Sequence, residues 1–151
     1  MTAEQIRCLV TGATGYIGAR LVPRLIERGY HVRAMARTPA KLADAPWRER
    51  AEVVQGDLTE PESLTAAFEG CDVIYYLVHS MGTSKDFVAE EEECARNVVT
   101  AAKQAGVRRV VYLSGLHPEG VALSRHLESR TLVGDILIDS GVETMVLQAG
   151  I

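Results

Sequence analysis

The chain contains no uninterrupted apolar run approaching the twenty or so residues needed to cross a bilayer. Residues 1–7, MTAEQIR, lack the basic segment and apolar stretch of a secretory signal. Cysteine is scarce: Cys8, Cys71 and Cys94 are odd in number and widely separated. That spacing excludes a disulfide framework and any metal motif built on cysteine pairs. Each cysteine falls in or beside an expected strand or helix, as reduced core thiols of a cytoplasmic protein would. Positive charge is not in excess either, with 16 Lys and Arg against 20 Asp and Glu and a net charge of −4. No cluster of Lys and Arg marks a nucleic-acid or membrane surface, so neither is an expected partner. Repeats and low-complexity segments are absent. What remains is 151 residues, 47% apolar and 24% charged, the composition of one ordinary globular domain able to bury a core.

The organising stretch is residues 6–18, IRCLVTGATGYIG. Ile6, Cys8, Leu9 and Val10 form a short, mostly apolar run that meets Gly12, Gly15 and Gly18. Apolar residues at helical spacing follow: Ile17, Leu21, Val22, Leu25 and Ile26. The pattern reads as strand, tight turn, helix. A helix starting there aims unpaired backbone N–H groups and its positive dipole end into the turn. A diphosphate suits that position, because glycine has no Cβ to hold it away from the backbone. The spacing is G-x-x-G-x-x-G rather than the commoner G-x-G-x-x-G, and an ordinary tight turn would use the same residues. The strand before and the helix after favour dinucleotide binding.

Downstream, residues 31–37 alternate Val32, Ala34 and Ala36 against His31, Arg33 and Arg37, as a second strand would. Arg37 falls about twenty residues past the turn, where an acidic group would select NAD(H) by accepting from a ribose 2′-hydroxyl. A guanidinium suits a 2′-phosphate instead, with Arg33 and Thr38 nearby, so NADP(H) is expected before NAD(H). The other reading of Arg37 is a solvated charge at a strand end. Residues 39–47 form a short helix or loop, and 51–58 a third strand. A helix follows from Pro61 to Phe68, with Thr59 as its cap and Gly70 as its stop. Residues 71–82, the most continuous apolar run, read as a central parallel strand buried on both faces and ending in His79, Ser80 and Gly82. A long helix over 86–105 carries Phe87, Cys94, Val98, Ala101 and Ala105 in one stripe, and its run Glu90, Glu91, Glu92, Glu93 reads as a solvated face rather than a metal site. Strands at 107–115 and 142–148 flank a helix over 124–140. The alternation predicts an α/β fold: a doubly wound parallel six-stranded sheet in order 3-2-1-4-5-6, helices on both faces, and a ligand at the carboxyl ends of strands one and four.

These residues resemble the short-chain dehydrogenase/reductase superfamily in its extended and atypical branches, on TGATGYIG, GDL at 56–58 and VVYLSG at 110–115. LVHSMG, SRHLESR and the final AGI are most similar to NmrA-like NAD(P)-binding proteins of that group. The resemblance implies that Gly12, Thr14, Gly15, Tyr16, Ile17 and Gly18 hold the diphosphate of a Rossmann-bound NADP and that Arg37 holds its 2′-phosphate. It implies that Asp57 and Leu58 flank the adenine, and that Leu77, Val78 and His79 line the path to the nicotinamide. By the same resemblance Ser114 would orient a small-molecule substrate. The family's catalytic Tyr and Lys, four residues apart, are matched here by His126 and Arg130. His126 can carry a proton near neutrality. Arg130 supplies charge without the compact reach of an ammonium. The bland reading makes both of them polar residues on an exposed helix, and Tyr75, Tyr76 and Tyr112 strand packing. The superfamily runs on past the sixth strand into a substrate lobe, so residues 1–151 read as the NAD(P)-binding domain of a longer protein or as a stand-alone cofactor module. An NADP-dependent oxidoreductase and a non-catalytic NAD(P) sensor acting through a protein partner are both compatible with these residues. Relatives often pair through the helix at 86–105, although its acidic end opposes a wholly apolar interface.

Overall fold

The structure, a computed structural model, describes residues 1–79, 86–116, 120 and 122–150. Ser80, Gly82 and Ile151, named above for the strand-four tail and the C-terminal motif, lie outside the described residues.

Six strands alternate with four helices: β1 (Arg7–Val10), α1 (Tyr16–Glu27), β2 (His31–Ala36), β3 (Glu52–Gln55), α2 (Pro61–Phe68), β4 (Val73–Tyr76), α3 (Phe87–Ala105), β5 (Arg109–Gly115), α4 (Arg125–Asp139) and β6 (Glu143–Ala149). All neighbours pair in parallel in the order β3-β2-β1-β4-β5-β6, as the alternation predicts. The order reverses between β1 and β4, which opens a crevice at their carboxyl ends.

Two cores flank the sheet. On one face Leu9, Met35, Ile74, Tyr76, Val110 and Tyr112 pack against α2, α3 and α4 through Phe68, Val98 and Leu137. On the other, Cys8, Val10, Val32 and Ala34 meet Val22 and Leu25 of α1, with Leu42 and Trp47 alongside. Those last two come from residues 39–50, which fold as two 3₁₀ turns, Pro39–Leu42 and Arg48–Arg50.

Several local expectations change. β2 is buried on both faces from Val32 to Ala36, so the apolar/polar alternation does not mark a solvated face. Its polar member Arg33 is only 7% exposed. β4 is not buried on both faces: Ile74 and Tyr76 are buried, but Val73 and Tyr75 are only partly buried at the edge of the core that α1 covers. The cap of α2 is Glu60, since the Thr59 N–H and hydroxyl both donate to Asp57 Oδ1, at 2.9 and 2.7 Å. In the glutamate run of α3, Glu90 and Glu93 are exposed and Glu92 pairs with Arg96 at 2.8 Å, but Glu91 is buried. The solvated face therefore excludes Glu91. The packing of α3 on α4 turns that position inward, and Ser129 of α4 donates to its carboxylate at 3.1 Å.

Candidate cofactor site

The glycine turn is built by close approach. Gly12 has φ +61, a left-handed conformation that side chains disfavour. Its carbonyl oxygen accepts from the Gly15 N–H at 2.9 Å. A Cβ on Gly18 would overlap that same oxygen and come within 2.9 Å of the Gly12 carbonyl carbon. The first turn of α1 thus folds directly against the turn before it, leaving its leading N–H groups directed at the crevice. A cradle that only glycine permits fits an anionic diphosphate.

Thr11 fixes the two strand ends that form the crevice. Fully buried, its Oγ1 donates to the Tyr75 carbonyl at 2.9 Å and accepts from the Leu77 N–H at 2.9 Å, while its own N–H also reaches Tyr75 at 3.1 Å. Sequence reasoning gave Thr11 no role. The threonine opening the TGATGYIG motif was the signal available.

A cavity of about 560 Å³ runs over this turn, a size ordinary for small-molecule sites. Of the expected diphosphate residues, Gly12, Thr14 and Gly15 line it. Arg37, Asp57 and Leu58 form one end, and Leu77, Val78 and His79 line the strand-four side. Gly18 lies beneath the turn, buried against Gly12, and Tyr16 and Ile17 stand exposed at the start of α1, with the Arg20 guanidinium 3.5 Å from the Tyr16 ring. The Asp57–Leu58 end is held from two sides. The Asp57 N–H donates to Ser63 Oγ at 3.0 Å, and Asn97 of α3 donates to the Leu58 carbonyl at 2.8 Å. Met35, Gly56, Tyr76, Glu90, Glu91 and Cys94 also line the cavity, none of them singled out as a site residue.

Arg33 does not join Arg37. Its guanidinium turns under α2, donating to the Ala67 and Glu69 carbonyls at 2.6 and 2.7 Å, to Glu52 at 3.0 Å and to Cys71 Sγ at 3.3 Å. It satisfies carbonyls at the negative end of that helix. Arg37, beyond the end of β2, stays exposed beside the cavity.

The residues matched to catalysis lie apart from the cavity lining. Ser114 is 5% exposed near the carboxyl end of β5. His126 is exposed on α4, its ring stacked on Phe87 at 4.6 Å. Arg130 turns inward: a Cβ on Gly115 would stand 3.5 Å from its Nη1. Burial and the Arg130 charge together push the His79 pKa down to about 4, against a backbone hydrogen bond at Leu113 that favours the proton. His79 is therefore neutral at pH 7. Its ring meets the edge of Tyr112 at 5.7 Å, and Tyr112 meets Tyr76 at 5.1 Å. The tyrosines pack the strands as expected, but the buried Tyr112 hydroxyl and His79 Nδ1 have no hydrogen-bond partner among the described residues. The three cysteines are unpaired; burial raises Cys8 to about 12 and Cys94 to about 11, so neither thiol is activated. No helix among the described residues is long and apolar enough to cross a membrane.

Residues 12–149 match the family described as NAD(P)H-binding. Cinnamoyl-CoA reductase 1 of Oryza sativa subsp. japonica is 40% identical over 117 residues, covering 74% of this chain and 34% of that protein. A 3 beta-hydroxysteroid dehydrogenase/Delta 5-->4-isomerase of Mycobacterium tuberculosis is 36% identical over 126 residues, covering 76% and 33%. Among solved structures, an NADPH-dependent quinone oxidoreductase of Escherichia coli, complexed with NADPH, superposes with a TM-score of 0.78 at 29% identity, over 93% of this chain and 48% of its own. Triphenylmethane reductase of Citrobacter sp., complexed with NADP(H), shares the fold with a TM-score of 0.79 at 24% identity, over 95% and 49%. The chain spans about a third of the curated relatives and about half of these solved chains. A glycine cradle at the reversal of a 3-2-1-4-5-6 sheet, matched over nearly its whole length, places this chain in the NAD(P)H-binding family of the short-chain dehydrogenase/reductase superfamily.

Proposed function

We propose that the chain is the cofactor-binding domain of an NADP(H)-dependent oxidoreductase of the atypical, NmrA-like branch. The observation that carries this is the single cavity in which Arg37 and the glycine cradle stand together with His79. Gly12, Thr14 and Gly15, with the N–H groups of Tyr16, Ile17 and Gly18, would hold the diphosphate. Arg37 would hold the 2′-phosphate, and Asp57 and Leu58 would flank the adenine. Leu77, Val78 and neutral His79 would line the nicotinamide side. Hydride chemistry belongs to the nicotinamide when bound, and the protein's share is position and electrostatics. Ser114 would orient a small-molecule substrate, with His126 or a water handling the proton and Arg130 supplying positive charge. The substrate lobe would be contributed by further chain. The unpaired thiols support a reducing compartment such as the cytoplasm.

A second reading has an observation of its own. His126 stacks on Phe87 at the exposed rim, and neither it nor Ser114 nor Arg130 lines the cavity. That supports a non-catalytic NAD(P) sensor acting through a protein partner.

Titration with NADPH and then NADH, followed by nicotinamide fluorescence, tests the cofactor assignment. Preferential NADPH binding that Arg37→Ala abolishes and Gly15→Trp blocks supports it. Equal affinity for the two cofactors removes the role given to Arg37. Turnover of NADPH with carbonyl, enone or quinone acceptors, weakened by His126→Phe, separates the enzyme from the sensor.

A further inference from the structure

Glu91 and Glu90 both line the cofactor cavity, but of the run Glu90–Glu93 only Glu91, 7% exposed, is buried. A buried carboxylate is retained only where hydrogen-bond donors meet it. The donor described is Ser129 Oγ of α4, itself 1% exposed, at 3.1 Å.

Its place along the cavity follows from α3. Asn97 binds the Leu58 carbonyl at the adenine end. Cys94, one turn earlier, lines the cavity beside Asp57, whose charge it feels. Glu91 is a further turn back, roughly 9 Å along the axis from Asn97. Phe87, one turn beyond, already stacks on His126. Glu91 thus stands toward the β4–β5 ends of the crevice, the half that holds His79.

A second observation lies beside it. The Tyr112 hydroxyl, on a side chain with no exposure, has no hydrogen-bond partner among the described residues, and the Glu91 charge helps hold its proton on. A carboxylate accepts hydroxyl hydrogens and repels phosphate oxygens, so Glu91 suits a polyol rather than the diphosphate.

We propose that Glu91 is a ligand-binding residue whose carboxylate accepts the hydroxyl hydrogens of the ribose on the nicotinamide side, with Ser129 fixing its orientation. The proposal rests on the cofactor reading above. It adds a binding group on α3, opposite the glycine turn.

Calorimetric titration of the wild type, Glu91→Ala, Glu91→Gln and Ser129→Ala with three probes tests it. The probes are NADPH, 2′-phospho-ADP-ribose, which keeps both riboses but lacks the nicotinamide, and adenosine 2′,5′-bisphosphate, which keeps the adenosine half alone. Glu91→Ala is expected to weaken the first two about tenfold and to leave the third within about twofold. Glu91→Gln and Ser129→Ala should show the same pattern at smaller size. If Glu91→Ala does not fold, the probe pattern of Glu91→Gln decides. Equal loss on all three probes overturns the proposal, because Glu91 would then serve the adenosine half or the fold. No loss on any probe overturns it as well. Loss on NADPH alone assigns the carboxylate to the nicotinamide or to a substrate hydroxyl beside it, against the ribose. A wild type that binds none of the probes overturns the cofactor reading instead, an outcome distinct from these.

Discussion

The two arginines of the second strand region make opposite predictions, and the structure sets their size. Arg33→Met keeps an apolar stem and removes the guanidinium. The Ala67 carbonyl, met by Arg33 in buried surroundings, loses its side-chain donor, at a cost of about 1–3 kcal/mol. The Glu69 carbonyl is only part-buried and can be hydrated, so its loss adds about 0.5–1 kcal/mol. The ion pair with Glu52 adds little, because that carboxylate is 52% exposed. The total is roughly 3 kcal/mol. For a domain of this size that corresponds to a fall in Tm of about 6–12 °C. Affinity for NADPH should not change beyond about twofold, since Arg33 points under α2. Arg37→Ala should do the reverse, with stability within about 0.5 kcal/mol and NADPH affinity reduced about 10- to 100-fold. Urea unfolding and NADPH titration on both variants form the assay. Loss of NADPH affinity in Arg33→Met at unchanged stability would refute the assignment of Arg33 to the helix end.

Further outcomes follow from the crevice. Gly18→Ala places a methyl on the Gly12 carbonyl; a destabilisation of about 2 kcal/mol or more is expected, together with loss of dinucleotide binding, and a variant that melts and binds like the wild type contradicts the close-packed turn. Thr11→Val keeps shape but leaves the Leu77 N–H and Tyr75 carbonyl without the hydroxyl, costing about 1–3 kcal/mol in urea unfolding; an unchanged midpoint would show that Thr11 does not tie β1 to β4. His79, neutral in the fold until about pH 4, binds its proton more readily when unfolded. Its contribution is therefore complete above about pH 6.5 and is lost as pH falls toward 4, by as much as about 3 kcal/mol. His79→Gln should flatten the stability profile across that window relative to the wild type, and parallel profiles would argue against a depressed His79.

Much of this molecule is local in origin and so legible in the chain. Apolar runs of strand length, helical stripes and glycine punctuation follow from backbone geometry, and their strict alternation leaves little choice but a parallel sheet. The glycine turn was readable because Gly12 and Gly18 answer a constraint acting within seven residues. Arg37 was readable as a cavity residue from its place past the end of β2. Contacts distant in sequence were not. Arg33 looks like Arg37 in the chain, yet the packing of α2 under β2 turns it into a cap for carbonyls 34 and 36 residues away. Glu91 sits among glutamates of identical chemistry, and only the approach of α4 selects it for burial. His126 and Arg130 share a helix four residues apart, but the fold leaves one on the rim beside Phe87 and turns the other toward β5. The sequence by itself determined the order of the elements and the glycine turn, because local backbone preference and hydrophobic periodicity need only near neighbours. Tertiary packing alone decided that Arg33 and Glu91 are buried, because burial depends on what the rest of the chain lays over them.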